Sequence, residues 1–252
     1  MVKKEIVVFP EVNFSDEGDI RHLHLDSIWI QGSMRMDDPL ALVHEYIQRM
    51  MAWLLFVDPA SVSKRQALQL GLGAASLTKF CHKTLRMKTA AVELNPQVIA
   101  ACRGWFKLAQ DNSRLQVVLA DAAVEIQQAR WLGSVDALQV DLYDQEAAGP
   151  VFDSADFYAH CRETLTPEGC MTVNLFGHKS SFQRSVMNME KAFGKDALWA
   201  FKATREGNTV VLAQRTPSRP KRAELLERAD TIRRQWSLPA DKWVRGFKPV
   251  TP

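Results

Sequence analysis

The alternation of short apolar runs with helical stretches, from residue 66 onward, constrains the fold of this 252-residue chain more than any other feature. Short apolar runs are typical of strands buried on both faces, and helices that cover both faces of a sheet require parallel strands. The runs cover residues 67–72, 89–92, 115–119, 135–140 and 170–175, and the helical stretches cover 76–85, 95–107, 122–129, 154–165 and 180–193. The pattern predicts an α/β domain with a parallel central sheet.

The end of this domain carries a second signal. Two further runs, 198–203 and 209–213, flank turn residues at 206–208 and predict an antiparallel terminal hairpin. Parallel βα units that end in such a pair predict a Rossmann-like sheet, mostly parallel, of the type found in S-adenosylmethionine-dependent methyltransferases. We expect it to form a nucleoside-binding catalytic domain over residues 37–216.

The residues before this domain predict a smaller unit. Segments 4–9 and 21–31 are rich in β-branched and aromatic residues, which favours a small antiparallel β unit within residues 1–36. Apolar residues at helical spacing over 40–56 follow Pro39, a residue common in the first turn of a helix. One long helix is therefore expected to precede the main domain.

Composition excludes several classes of protein. The longest apolar run, 50–57, is much shorter than the roughly 20 residues of a spanning helix. Pro10 and Glu11 interrupt the start before any signal-peptide core, so a cytoplasmic location is expected. Four cysteines form no C-x-x-C pair and six histidines show no ligand spacing, so no metal is expected.

The basic residues are concentrated near the end of the chain. Residues 201–252 hold 12 lysines and arginines against five acidic residues, whereas the first 200 residues are net negative. We interpret 217–252 as a basic helical tail with an amphipathic helix over about 223–236, more often a solvated surface helix than a nucleic-acid contact. Nucleic acid is therefore not the expected partner.

Polar residues follow four consecutive predicted strands. They are Gly71 and Gly73 after the first strand, Glu93 after the second, Asp121 after the third, and Asp141 and Asp144 after the fourth. Each has a simpler interpretation as a plain turn, a helix cap or a solvated loop. Together they predict a nucleotide-like ligand, because ligands bind at the carboxyl ends of parallel strands.

The ligand suggested by this pattern is a sulfonium nucleoside. NAD fits less well, because Ser76 replaces the third glycine of its G-x-G-x-x-G fingerprint. S-adenosyl compounds carry a ribose, an adenine and a cationic sulfur, and nearby carboxylates favour that cation.

At these residues the chain resembles the spermidine synthases, or polyamine aminopropyltransferases, over about 20–215. The similar segments are Ile30-Gln31-Gly32-Ser33, His44-Glu45-Tyr46, Gly71-Leu72-Gly73, Val92-Glu93-Leu94-Asn95, Ala120-Asp121, the run from Asp136 to Asp144, Phe157-Tyr158 and 165–169. The most specific match is the pair of aspartates three residues apart, Asp141 and Asp144.

The resemblance implies a role for each of these residues. Gln31 and Glu93 would hold the ribose, Asp121 the adenine, and Asp141 would be the base for an attacking amine. Asp144 and Tyr46 would position the substrates. It further implies decarboxylated S-adenosylmethionine or S-adenosylmethionine as a co-substrate with no tightly bound cofactor, a polyamine acceptor such as putrescine, and a homodimer.

Several residues depart from the family pattern. Ala74 stands where the family has an aspartate that anchors the donor amino group, and Ala75 and Ser76 replace the glycines that follow. Changes also occur at Leu142, Tyr143 and Gln145, and Asn174 replaces a glutamine. Two alternatives therefore stay open: a methyltransferase that uses S-adenosylmethionine itself, and a noncatalytic nucleoside-binding protein.

Overall fold

The computed structural model describes residues 9–143, 151–177 and 179–250. The larger of its two sheets contains eight strands. In spatial order they are β11 (Lys248–Pro249), β9 (Leu198–Ala200), β10 (Asn208–Gln214), β8 (Leu165–Phe176), β7 (Val135–Val140), β4 (Gln66–Leu70), β5 (Lys88–Glu93) and β6 (Leu115–Leu119). β4 to β8 pair in parallel, and β10 inserts antiparallel between β8 and β9. The predicted sheet and terminal hairpin are confirmed.

Helices connect and cover these strands. They are α1 (Glu45–Arg49), α2 (Ser76–Lys79), α3 (Pro96–Trp105), α4 (Ala122–Glu125), α5 (Ala155–Thr164), α6 (Lys179–Phe193), α7 (Arg222–Trp236) and α8 (Ala240–Gly246). The strand order reverses beside β4, since the chain continues outward to β5 and β6 before returning to β7 on the other side. Such a reversal opens a crevice at the carboxyl ends of the strands.

The N-terminal unit is a three-stranded antiparallel sheet of β1 (Val12–Glu17), β2 (Ile20–Leu25) and β3 (Ile30–Arg35). The predicted strand 21–31 is corrected to two strands, because the chain turns at Asp26, where φ is +46°. β1 was not predicted, since five of its six residues are exposed and carry little apolar pattern. The predicted strand 4–9 lies almost wholly outside the described residues.

The long helix predicted over 40–56 is wrong. α1 has only five residues, and a 3₁₀ segment, Ala52–Phe56, follows it. Met50 to Leu55 are at most 1% exposed, so this segment is buried on every side and periodicity cannot define its conformation. The hydroxyl of Thr172 in β8 donates a 3.0 Å hydrogen bond to the Met50 carbonyl, which ties the segment to the sheet.

The predicted solvated helix at the C-terminus is also corrected. α7 and α8 pack into the same hydrophobic cluster as the 50–55 segment, and β11 extends the central sheet beside β9. The buried residues are Leu225, Ala229, Ile232, Leu238, Ala240, Trp243, Val244 and Phe247. The basic side chains lie on the outer face of an element that closes the core, while the domain boundaries remain predictions. No helix in the described part of the chain is long and apolar enough to cross a membrane.

Candidate active site

A cavity of about 630 Å³ lies at the carboxyl ends of β4 to β7. The N-terminal sheet forms one wall, and the turn between β9 and β10 borders it at another side. Seven of the residues predicted from sequence line it: Gln31, Tyr46, Gly71, Gly73, Glu93, Asp121 and Asp141. The eighth, Asp144, lies outside the described residues. The predicted convergence therefore occurs, whereas the role of each residue stays a prediction.

The two glycines of the first turn allow three segments to meet. Gly71 has φ of +89°, and a Cβ on it would lie 2.2 Å from the carbonyl oxygen of Asp141. Gly73 has φ of +49°, and its Cβ would lie 2.8 Å from the carbonyl oxygen of Gln31. A side chain at either position would push one of these backbones away, so the glycines bring both predicted site residues to the turn.

Glu93 holds the turn in place through its carboxylate. Oε2 accepts a 3.0 Å hydrogen bond from the backbone N–H of Leu72, and Oε1 accepts one of 2.8 Å from Asn95. Burial raises the pKa of Glu93, and these backbone N–H groups oppose the rise. The carboxylate at the end of β5 therefore joins two adjoining loops while it lines the cavity.

Asp121 combines two roles that the sequence left as alternatives. Its Oδ1 accepts hydrogen bonds from the backbone N–H groups of Ala123 at 2.7 Å and Val124 at 3.2 Å, so it caps α4. It also lines the cavity. The cap fixes the side chain at the end of β6, where an acceptor could meet a bound base.

Asp141 is the centre of a polar network at the other end of the cavity. Its Oδ1 accepts a 2.9 Å hydrogen bond from Asn174 Nδ2, and the Tyr46 phenol also hydrogen-bonds its carboxylate. Asn174 in turn accepts from Asn208 at 3.1 Å. Burial raises the pKa of Asp141 to about 6, although both neighbours oppose the rise. A carboxyl group with this pKa is mostly ionised at pH 7 and can accept a proton from a group within hydrogen-bond reach.

Several residues around Asp141 received no role from sequence reasoning. Tyr143 donates a 2.8 Å hydrogen bond to the Asn174 carbonyl, and His44, Glu206 and Asn208 line the same end of the cavity. Asn208 and Glu206 follow β9, far along the chain from the predicted cluster. For His44 and Tyr143 the sequence did give a signal, because both lie in segments similar to the family, whereas nothing in the sequence pointed to Glu206 or Asn208.

The charges of the cavity are of one sign. Five carboxyl residues are among its lining: Glu45, Glu93, Asp121, Asp141 and Glu206. No lysine or arginine lines it among the residues that the structure describes. The buried Lys79 points elsewhere, because its Nζ donates to the Phe106 carbonyl at 2.8 Å. Glu45 is ion-paired with Arg49 at 2.7 Å, so the excess of negative charge comes from the other four carboxyl residues, and it favours cationic ligands.

Ala74 is buried beside the N-terminal sheet and does not line the cavity. A Cβ on Gly32 would lie 2.5 Å from the Ala74 nitrogen and 2.8 Å from its Cβ, so the β3 backbone passes directly over it. This close approach requires glycine at position 32.

Comparisons with known proteins agree with the site. No protein-family model matches the chain. A polyamine aminopropyltransferase of Chromobacterium violaceum is 33% identical over 249 residues, which cover 98% of this chain and 93% of that protein. A probable spermidine synthase from Corynebacterium glutamicum has a TM-score of 0.74 at 18% identity, covering 96% of this chain and 93% of that one.

A methyltransferase also shares the architecture. The structure of human methyltransferase-like protein 13 in complex with SAH has a TM-score of 0.67 at 26% identity, covering 77% of this chain and 92% of that one. These neighbours confirm the predicted fold class. Because 33% identity extends over nearly the whole length of both proteins, the resemblance seen in the strand-end residues is also confirmed, and the chain belongs to the polyamine aminopropyltransferase family.

Proposed function

We propose that this protein transfers an aminopropyl group from decarboxylated S-adenosylmethionine to a polyamine such as putrescine. The observation that carries the proposal is the cavity lining, which has five carboxyl residues and, within the described residues, no lysine or arginine. Both proposed substrates are cations without a carboxylate. An anionic cavity attracts both and offers no partner for a negative group.

The donor would occupy the end formed by β4, β5 and β6. Glu93 would accept from the ribose hydroxyls, Gln31 would contact the same sugar, and Asp121 would accept from the adenine amino group. The proposal rests on their common lining of one cavity and on the glycine turn, whose backbone lies beside them. The sulfonium carbon would then face the Asp141 end.

The acceptor would react beside Asp141. An alkyl ammonium has a pKa near 10 and cannot attack until it loses a proton, so a carboxylate at the attacking nitrogen removes the first barrier. The lone pair of the deprotonated nitrogen then forms a bond to the aminopropyl carbon. The bond between that carbon and sulfur breaks, and its electrons stay on sulfur, which loses its positive charge. The products are the extended amine, methylthioadenosine and one proton on Asp141.

The second candidate is a methyltransferase. It is favoured by the likeness to human methyltransferase-like protein 13 and by Ala74, since the family's donor-anchoring carboxylate is absent. The acidic cavity opposes it, because the methionine carboxylate of the intact donor would face like charges, and the described part of the lining offers no lysine or arginine to pair with it.

The experiment is a product analysis with each donor. Purified protein is incubated with putrescine and either decarboxylated or intact S-adenosylmethionine, and products are measured by mass spectrometry. We expect spermidine and methylthioadenosine from the decarboxylated donor alone. Methylated amine and S-adenosylhomocysteine from the intact donor would support the second candidate. Absence of product from both would support a noncatalytic nucleoside-binding protein.

Variants assign the base. Asp141→Asn is expected to lower turnover roughly 10²- to 10⁴-fold, the usual contribution of a general base, while methylthioadenosine still binds. Asp196→Asn is the control, since that side chain is 91% exposed and is not among the described cavity-lining residues. Equal turnover in both variants would remove the role proposed for Asp141.

A further inference from the structure

A line of polar side chains connects the cavity with the surface through the N-terminal sheet. His44 lines the cavity, and its Nε2 lies 2.6 Å from Ser33 Oγ. Ser33 Oγ also lies 2.7 Å from His22 Nδ1. At the far end, His22 Nε2 lies 3.7 Å from a carboxylate oxygen of the exposed Glu17. Ser33 is 2% exposed and His22 is 7% exposed, so the middle of the line is shielded from water.

The single hydroxyl proton of Ser33 makes this line directional. A serine hydroxyl has one proton and two lone pairs, and this buried hydroxyl has only the two rings as described partners, so its proton is satisfied when it donates to one ring and accepts N–H from the other. One histidine must therefore present a protonated ring nitrogen to Ser33, and the other must present an unprotonated ring nitrogen. Whichever form His22 adopts determines the form of His44.

Glu17 determines which of the two rings accepts the hydrogen bond from Ser33. Its carboxylate favours a proton on the nearby Nε2 of His22, which leaves Nδ1 of a neutral His22 as an acceptor. Ser33 then donates to His22 and accepts from the Nε2–H of His44. A neutral His44 in this form carries its lone pair on Nδ1, the nitrogen that Ser33 does not contact.

The surroundings of His44 keep it neutral near pH 7. Burial lowers its pKa, whereas the carboxylate of Glu206 in the same cavity lining opposes the change. The ring also stacks on Tyr46, with centroids 5.9 Å apart. Since Tyr46 hydrogen-bonds Asp141, the orientation of His44 is linked to the acceptor end of the cavity.

We propose that Glu17, His22 and Ser33 are positioning residues that fix the tautomer of His44, so that its Nδ1 accepts a hydrogen bond from an ammonium group of the acceptor. The tautomer itself follows from contacts within the protein. The identity of the bound ammonium rests on the proposed function, so the two parts are tested separately.

The first test needs no substrate. Long-range ¹H–¹⁵N spectra of the ¹⁵N-histidine-labelled protein at pH 7.5, assigned with single-histidine variants, report which nitrogen of each ring carries the proton. We expect Nε2–H for both His22 and His44. A proton on Nδ1 of His44, or a charged ring at this pH, overturns the proposal whether or not the protein is an aminopropyltransferase.

The second test is kinetic and uses a matched pair of serines. Ser33→Ala removes the bond to His44, while Ser15→Ala removes a similar 2.9 Å bond to His24, a more exposed pair of the same sheet that is not among the described cavity-lining residues. For Ser33→Ala we expect the acceptor KM to rise roughly tenfold, the donor KM to stay unchanged and the His44 signals to show mixed tautomers. Ser15→Ala should match the wild type.

The outcomes separate the two proposals. A wild type that transfers no aminopropyl group, yet shows the expected tautomers, contradicts the proposed function and leaves the positioning role of Ser33 standing. An active wild type whose acceptor KM is the same in Ser33→Ala and Ser15→Ala overturns the inference alone.

Discussion

Replacing Asp141 with asparagine should stabilise the substrate-free protein, and only above acidic pH. Burial raises the pKa of Asp141 from the ordinary 3.8 to about 6, a shift of about two units. Each unit corresponds to about 1.4 kcal/mol, so the buried charge costs at most about 3 kcal/mol, an upper value because the residue retains exposure to the cavity. Asparagine keeps an oxygen that can accept from Asn174, and it carries no charge.

The sign of the pH dependence follows from linkage. A carboxyl group whose pKa is higher in the folded state holds its proton more tightly there, so its contribution favours folding below pH 4 and is lost as the pH rises from 4 to 6. Asp141→Asn has no titrating group at this position, so its stability does not lose this contribution as the pH rises. Its free energy of unfolding, relative to the wild type, should therefore increase across this interval and level off above about pH 7.

The assay is urea unfolding of wild type, Asp141→Asn and Asp196→Asn at a series of pH values from 4.5 to 8. The Asp196→Asn curve should parallel the wild type, since that carboxylate is exposed. A stability difference between Asp141→Asn and wild type that is independent of pH, or that falls as pH rises, would refute the claim that burial raises this pKa.

Three further changes test other parts of the account. Gly71→Ala should lower the free energy of unfolding in urea by at least about 2 kcal/mol, because its Cβ would meet a backbone carbonyl at 2.2 Å. Gly104→Ala, in open space on α3, should raise it by up to about 1 kcal/mol. Equal effects would contradict the packing of the turn. Ile232→Ala should lower the free energy of unfolding by about 2–5 kcal/mol, whereas Leu226→Ala, at a side chain 42% exposed on the same helix, should lower it by less than about 1 kcal/mol. A small loss in both variants would contradict the packing of α7 against the core. Glu206→Gln should raise the KM of a diamine acceptor roughly threefold to tenfold with little change for the donor; an unchanged acceptor KM would remove Glu206 from acceptor binding.

The parts of the fold that could be predicted depend on local patterns. Short apolar runs gave the parallel strands, and Asn95 before Pro96 gave the start of α3, where Asn95 does cap the helix. Convergence of Glu93, Asp121 and Asp141 followed from topology, because the carboxyl ends of parallel strands share one edge.

The parts that could not be predicted depend on contacts between distant segments. The apolar spacing of residues 50–55 predicted a helix, because spacing alone does not show that β8 and α7 both cover this segment.

The candidate site shows the same division. Asp141 could be identified from its strand, but its bonds to Tyr46 and Asn174 join segments far apart in sequence. Asp121 illustrates a different limit, since one carboxylate can cap a helix and line a cavity at once. The two interpretations of Asp121, as a helix cap and as a ligand-binding residue, therefore do not exclude each other.

The most direct test of the central claim is the affinity of the protein for the two donors, measured by isothermal titration calorimetry under identical conditions. A cavity lined by carboxylates, with no lysine or arginine among its described lining residues, should bind decarboxylated S-adenosylmethionine at least roughly tenfold more tightly than the intact donor. Equal affinity, or tighter binding of intact S-adenosylmethionine, would contradict the account.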